Sequence, residues 1–233
     1  CQMSGHIKHL TIQGGEPSIM PEIEYYFEYL MDNNLTEQIE IDCISNLTNI
    51  NNKFYELLEH FKSVNINASV DAYDQVNDYI RFPSKFYIIE QNLLELSKKN
   101  VPVNLQISLQ TLSMYNFYDF LAWINGIQKK YKQQDKTIGV NISYVTTPTH
   151  LDMKNAPVKL KEKMIADIKQ FKNQHQNTIN DLRFNIELRN LEQRLSAGHP
   201  PRYINDLKDY LNTLDSRRNI KITNYIPNFH DYL

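Results

Sequence analysis

Apolar residues recur with two periods along the first 150 positions, and the two periods take turns. Period-two alternation and β-branched runs predict strands over residues 8–13, 38–44, 64–70, 103–109 and 138–145. Between them, apolar residues three and four apart predict helices over 21–33 (Ile23, Phe27, Leu30, Met31), 52–62 (Phe54, Leu57, Leu58, Phe61), 86–99 (Ile89, Leu93, Leu94, Leu96) and 117–128, which holds Trp123. Residues 74–78 read as a loop or short helix. Strands joined by helices at this spacing form right-handed βαβ units, and these demand a parallel sheet. After residue 150 the pattern becomes helical, over 158–175, 180–195 and 201–214, and a tail over 220–233 carries aromatics and a proline. The reading is one α/β domain, with residues 1–150 as its parallel-sheet core and 151–233 as a helical extension of the same domain.

The 233 residues are 41% hydrophobic, enough for a substantial core. Net charge is −2, whereas a general nucleic-acid binder is basic, so no nucleic-acid partner is expected. The lysines between 154 and 172 read as a solvated helix face. No stretch approaches the ~20 apolar residues of a membrane span. Two cysteines, Cys1 and Cys43, exclude a disulfide-rich scaffold and fit a reducing cytoplasm. The seven histidines show no metal-ligand spacing.

Parallel α/β sheets bind ligands beyond the C-terminal ends of their strands. The first strand ends in Gln13-Gly14-Gly15-Glu16-Pro17, the second in Ser45-Asn46-Leu47-Thr48 and the third in Ser69-Val70-Asp71-Ala72. Tyr79-Ile80-Arg81-Phe82-Pro83 follows, the fourth strand holds Gln106 and Ser108, and the fifth leads through Val145 to Thr146. Only six glycines occur in the chain, so two adjacent ones before an acid point to a sharp turn that brings backbone close to a ligand. Glu16 offers a carboxylate suited to an ammonium group, and Asn46 and Ser69 offer neutral groups suited to a carboxylate or a ribose. An ammonium and a carboxylate on one ligand describe an amino acid.

Gly14-Gly15-Glu16-Pro17 resembles the glycine-rich motif of radical S-adenosylmethionine (SAM) enzymes. Residues 42–47, 54–61, 64–71 and 79–85, with the tail stretches 214–219 and 225–229, resemble the twitch-domain members, a branch related to the SPASM enzymes. The resemblance runs from about residue 7 to the end. It implies a partial TIM-type barrel of six β/α units, with SAM across the strand ends. It places Gly14, Gly15, Glu16 and Pro17 at the methionine amine, and Asn46, Ser69 and Asp71 at the methionine carboxylate or ribose. Arg81 would reach the carboxylate, Gln106 or Ser108 the ribose, and Val145 or Thr146 the adenine. It further implies reductive cleavage of SAM at a 4Fe–4S cluster fed by an external electron donor, giving a 5′-deoxyadenosyl radical that takes hydrogen from a peptide or carbohydrate-related substrate.

The chain departs from the family at the cluster. The family's C-x3-C-x2-C motif is absent, and no further cysteines are present for an auxiliary cluster. Cys1-Gln2-Met3 resembles the end of the motif and makes Cys1 the one candidate metal ligand, with Ser4 where the next cysteine would fall. The expectation is a sequence lacking the first barrel strand and the cluster loop, through an incomplete N-terminus or a missing internal segment near residues 3–5, and inactive as it stands. Cys43 reads as a buried small hydrophobe. Two alternatives stand beside this reading: a cluster-less fold of the same ancestry acting as a binding protein, and an unrelated α/β barrel enzyme using Glu16 and Asp71 as acid and base.

Overall fold

The computed structural model describes residues 6–49, 51–99, 101–175, 182–196 and 203–233, with only the backbone of 182 and 183. The fold is α/β: a parallel five-stranded sheet with helices, followed by a helical C-terminal part. The strands are β1 (His9–Ile12), β2 (Glu40–Ser45), β3 (Ser63–Ser69), β4 (Val103–Leu109) and β5 (Ile138–Tyr144). Their order in the sheet is their order in the chain, β1-β2-β3-β4-β5, as successive βα units of one hand produce. A doubly wound sheet would reverse that order part-way. Parallel registers pair Thr11 with Asp42, Asp42 with Asn65 and Ser69 with Gln106.

The described residues divide into two compact units. The first draws on the described residues within Cys1–Val70, Tyr87–Gln106 and Gln128–Asn141, and the second on those within Asp71–Phe86, Ile107–Ile127 and Ile142–Leu233. In the first, α1 (Pro21–Asp32) and α2 (Asn52–Leu58) bury an aromatic group. The Phe27 ring lies 5.7 Å from that of Phe54 and 4.8 Å from that of Phe61. In β2, Ile41, Cys43 and Ser45 are buried, while Glu40, Asp42 and Ile44 point to the other face. That other face is polar. Asp42 takes His9 Nε2 at 3.2 Å and Asn65 Nδ2 at 3.0 Å, and Asn104 Nδ2 donates to Asn65 Oδ1 at 2.5 Å. The ladder explains Gly139 in β5: a Cβ there would come within 2.0 Å of Asn104 Oδ1.

In the second unit, α3 (Asp74–Ile80) resolves the ambiguous stretch 74–78 as helix. The first part of α5 (Phe117–Lys132) packs Trp123 5.0 Å from the Phe86 ring, at the start of α4 (Phe86–Lys98). Three further helices are α6 (Val158–His175), α7 (Leu182–Ser196) and α8 (Ile204–Arg218). Leu160, Met164, Ile168 and Phe171 form the buried stripe of α6, and Leu188, Leu191 and Leu195 that of α7.

Boundaries differ from expectation where hydrogen bonding changes. The helix expected over 52–62 stops at Leu58 because Glu59, His60 and Phe61 donate to carbonyls three residues back, tightening the last turn. The helix expected over 117–128 runs on to Lys132, with three lysines in its last turn where cations suit the helix C-terminus. The helix expected over 201–214 reaches Arg218 and ends at Asn219 in the left-handed conformation. One lysine of the charged stretch is not solvated: Lys161 is buried, donates to the Lys154 carbonyl, and has its pKa lowered by burial.

Candidate functional site

In the first unit the end of β1 is bare backbone. Gly14 has φ +98° and Gly15 φ +58°, so the chain turns through a region that other residues avoid. Both are exposed, and no atom lies within 4 Å of where a Cβ would stand on either. Among the described residues no backbone hydrogen bond engages either one. Their N–H and C=O groups are therefore accessible and unengaged by backbone at a strand end.

Glu16 and Pro17, next in the chain, are buried. Glu16 Oε1 accepts from Ser45 Oγ at 2.7 Å, and Ser18 Oγ stands 3.0 Å away. Ser18 also stands 3.2 Å from the Asn49 carbonyl, and its single proton serves one acceptor at a time. Glu16 Oε2 accepts from the Asn46 backbone N–H at 2.9 Å. One carboxylate thus ties the end of β1 to the end of β2. Charge-assisted bonds of this kind contribute ~1.5–3 kcal/mol each. With about four lone-pair sites and two or three donors in place, Glu16 keeps limited capacity for a ligand ammonium.

Asn46 follows the same turn. Its Oδ1 accepts from Thr48 N at 2.9 Å and Thr48 Oγ1 at 2.6 Å, a side-chain turn that leaves its Nδ2 without a partner among the described residues. Leu47 sits at φ +52°, an unusual place for a bulky residue, held by Ser45 Oγ on its N–H and Asn92 Nδ2 on its carbonyl. Ser69, at the end of β3, is buried, and Gln106, in β4, is half-buried. Neither side chain has a hydrogen-bond partner among the described residues.

In the second unit Asp71 and Arg81 meet. Arg81 Nε lies 2.8 Å from Asp71 Oδ2 as an ion pair without hydrogen-bond alignment. Asp71 Oδ1 accepts from Ser108 N at 2.8 Å, and Asp71 N donates to Asn77 Oδ1 at 3.0 Å. Arg81 keeps about a quarter of its side chain exposed, and its two terminal nitrogens have no partner among the described residues. Ser108 Oγ lies 3.3 Å from Ser143 Oγ, and Val145 N donates to Leu109 O at 2.9 Å. Sequence reasoning named Asp71 and Arg81 separately as ligand contacts; the structure pairs them. It also adds Ser18 and Ser45, for which the sequence held no signal beyond their place near strand ends, and Asn77, a buried residue of α3 for which it held none.

Cys1, the expected metal ligand, lies outside the described residues, as does Ser4. Cys43 is fully buried, and burial with the nearby Glu16 charge pushes its thiol up to about 12, so it stays protonated and does not suit a cluster. Among the described residues no group of three His, Cys, Asp or Glu side chains is placed to hold a metal. No described helix is long and apolar enough to cross a membrane.

No protein-family model and no curated protein sequence matches the chain. Among solved structures, it is similar to anSMEcpe with bound AdoMet and the Cp18Cys peptide, at 15% identity and a TM-score of 0.46 over 72% of this chain and 47% of that one. It is similar to TYW1 with a lysine-pyruvate adduct at 17% identity and 0.40, over 71% and 50%. A domain of a pyruvate-formate lyase-activating enzyme from Bacteroides vulgatus aligns at 11% identity and 0.36, over 57% and 98%. The chain spans about half the length of the first two. Likeness at this level carries no argument about what the chain does.

Proposed function

We propose that this chain is the SAM-holding core of a radical SAM enzyme of the twitch-domain branch. The observation that carries the reading is the bare Gly14-Gly15 backbone at the end of β1, followed at once by a carboxylate locked to the end of β2. The accessible, unengaged carbonyls of Gly14 and Gly15, with what capacity Glu16 retains, suit the methionine amine, and Pro17 fixes the chain beyond. The spare Nδ2 of Asn46 and the Ser69 hydroxyl suit a carboxylate or ribose, and Gln106 a ribose hydroxyl. In the second unit Arg81, braced by Asp71, offers two terminal nitrogens to a carboxylate. Ser108 is assigned to the ribose and Val145 to the adenine. Residues 151–233 are assigned as a helical extension of the barrel domain.

A 4Fe–4S cluster supplies reductive cleavage of SAM in such enzymes, fed by an external electron donor. The described residues do not fit a cluster, so their part is to bind and orient SAM. The substrate class proposed is a peptide or a carbohydrate-related molecule, and the setting the cytoplasm.

A second reading, a fold of the same ancestry that binds SAM without a cluster, rests on the sequence, where Ser4 stands at the place of the motif's next cysteine after Cys1. An acid–base enzyme built on Glu16 and Asp71 is disfavoured, because donors or a cation already hold each carboxylate. Calorimetric titration with SAM tests the proposal: the account expects one site per chain, lost in Gly14→Ala. Absence of binding by folded protein rejects it. Anaerobic reconstitution of a full-length form with iron and sulfide then separates the first two readings: visible absorbance of a cluster supports the enzyme, and its absence supports the cluster-less fold.

A further inference from the structure

Arg81 caps α3, its N–H donating to the Asn77 carbonyl at 2.8 Å, and Asp71 N holds Asn77 Oδ1 on the same helix. The residues beside Arg81, Tyr79 and Phe82, take further contacts from the far end of the chain, within the same unit. Tyr79 is fully buried and its hydroxyl donates to Asp215 Oδ1 at 2.8 Å. Asp215 Oδ2 accepts from Ile222 N at 2.9 Å, so the same carboxylate fastens the start of the tail. Arg218 Nη1 donates to the Tyr79 carbonyl at 2.6 Å, on the last turn of α3, where carbonyls lack helical partners. Its guanidinium carbon lies 5.5 Å from the Phe82 ring centroid and 5.8 Å from that of Tyr79. The Tyr225 ring lies 5.7 Å from the Tyr79 ring, and Lys85 Nζ 5.8 Å from the Tyr225 ring centroid. The residues on both sides of Arg81 are thus gripped by the last turn of α8 and the tail beyond it.

We propose that Asp215 and Arg218 are positioning residues for Arg81, holding Tyr79 and Phe82 so that the Arg81 guanidinium stays braced on Asp71 with its terminal nitrogens presented to ligand. This rests on the reading that Arg81 takes the SAM carboxylate. Asp215 and Arg218 touch no ligand themselves. They make the C-terminal stretch 215–222 part of the binding apparatus and give the stretches 79–85 and 214–219 one shared purpose. The geometry asks for both partners: a carboxylate long enough to reach the Tyr79 hydroxyl and a guanidinium able to donate to a carbonyl while covering two rings.

A double-mutant cycle on SAM affinity tests this. Asp215→Ala alone is expected to weaken binding about fivefold, the scale of one hydrogen bond, and to do nothing further in an Arg81→Ala background. Arg218→Lys, which can still donate to the Tyr79 carbonyl, is expected to recover part of the loss seen in Arg218→Ala. Equal losses in both backgrounds, or no loss in either, overturn the proposal, because a merely structural effect does not depend on Arg81. Should Asp215→Ala fail to fold, Tyr79→Phe removes the same hydrogen bond with less disturbance. Amide hydrogen exchange over residues 81–85, read without ligand, separates the two layers. Faster exchange in Tyr79→Phe, in a protein that binds no SAM, upholds the grip on the Arg81 segment and rejects the ligand reading. Unchanged exchange rejects the grip.

Discussion

Gly14 and Gly15 differ in what they tolerate. A φ of +58° is the left-handed helical region, open to Asn or Asp at modest strain, whereas +98° at Gly14 is close to glycine's alone. Open space surrounds both, so backbone strain is the whole effect of an added methyl on folding stability. Gly14→Ala is expected to destabilise the protein by ~1–3 kcal/mol and Gly15→Asn by less than ~1 kcal/mol, measured by denaturant unfolding. Ser45→Ala removes the 2.7 Å donor to Glu16 and the acceptor of Leu47 N, and is expected to destabilise by ~1–3 kcal/mol in the same measurement. The motif at 14–17 was legible because glycine pairs and an acid at a strand end carry a local signal. The partners of Glu16 were not, because Ser45 reaches it from the next strand and a serine looks alike whether it caps, turns or donates.

At the scale of elements, most strands and helices stood where the apolar periods placed them, since each buries one face against a neighbour. The ends moved. Helix ends are set by single hydrogen bonds and caps, which period alone does not encode. The start of α2 shows the rule: Asn51 Oδ1 accepts from Lys53 N at 3.1 Å and Phe54 N at 3.4 Å. Asn51→Ala is expected to destabilise by ~1 kcal/mol, and Asn51→Asp to keep most of that, by thermal unfolding. The ladder Asp42–Asn65–Asn104 was also hidden, because side chains meeting across three strands are remote in sequence. Gly139, between Ile138 and Val140 at the start of β5, was its one trace. Gly139→Ala is expected to break the ladder at Asn104, by overlap rather than by strain.

For the whole molecule, burial dominates the ionisation of several groups. It raises the Cys43 thiol to about 12 from an ordinary 9.0, with the Glu16 charge adding to it. It raises the hydroxyls of Tyr55, Tyr79 and Tyr131 above their ordinary 10.0, with Glu16 adding at Tyr55 and Asp215 at Tyr79. Groups raised in the folded state contribute stability in full below their unfolded values, and that contribution is lost as pH rises through the folded ones. Stability should therefore hold to about pH 9 and fall above it, with buried tyrosines ionising only as the chain unfolds. Parallel denaturant and tyrosinate-absorbance titrations would contradict this if ionisation were complete in still-folded protein.

The central claim is that SAM is held by the strand-end residues. Amide hydrogen exchange read by mass spectrometry, with and without SAM, tests it most directly. The account predicts slower exchange in peptides covering 13–17, 46–48, 69–71, 81 and 106–108, and none in α6. Protection confined to other segments, or no protection at saturating SAM, would contradict it.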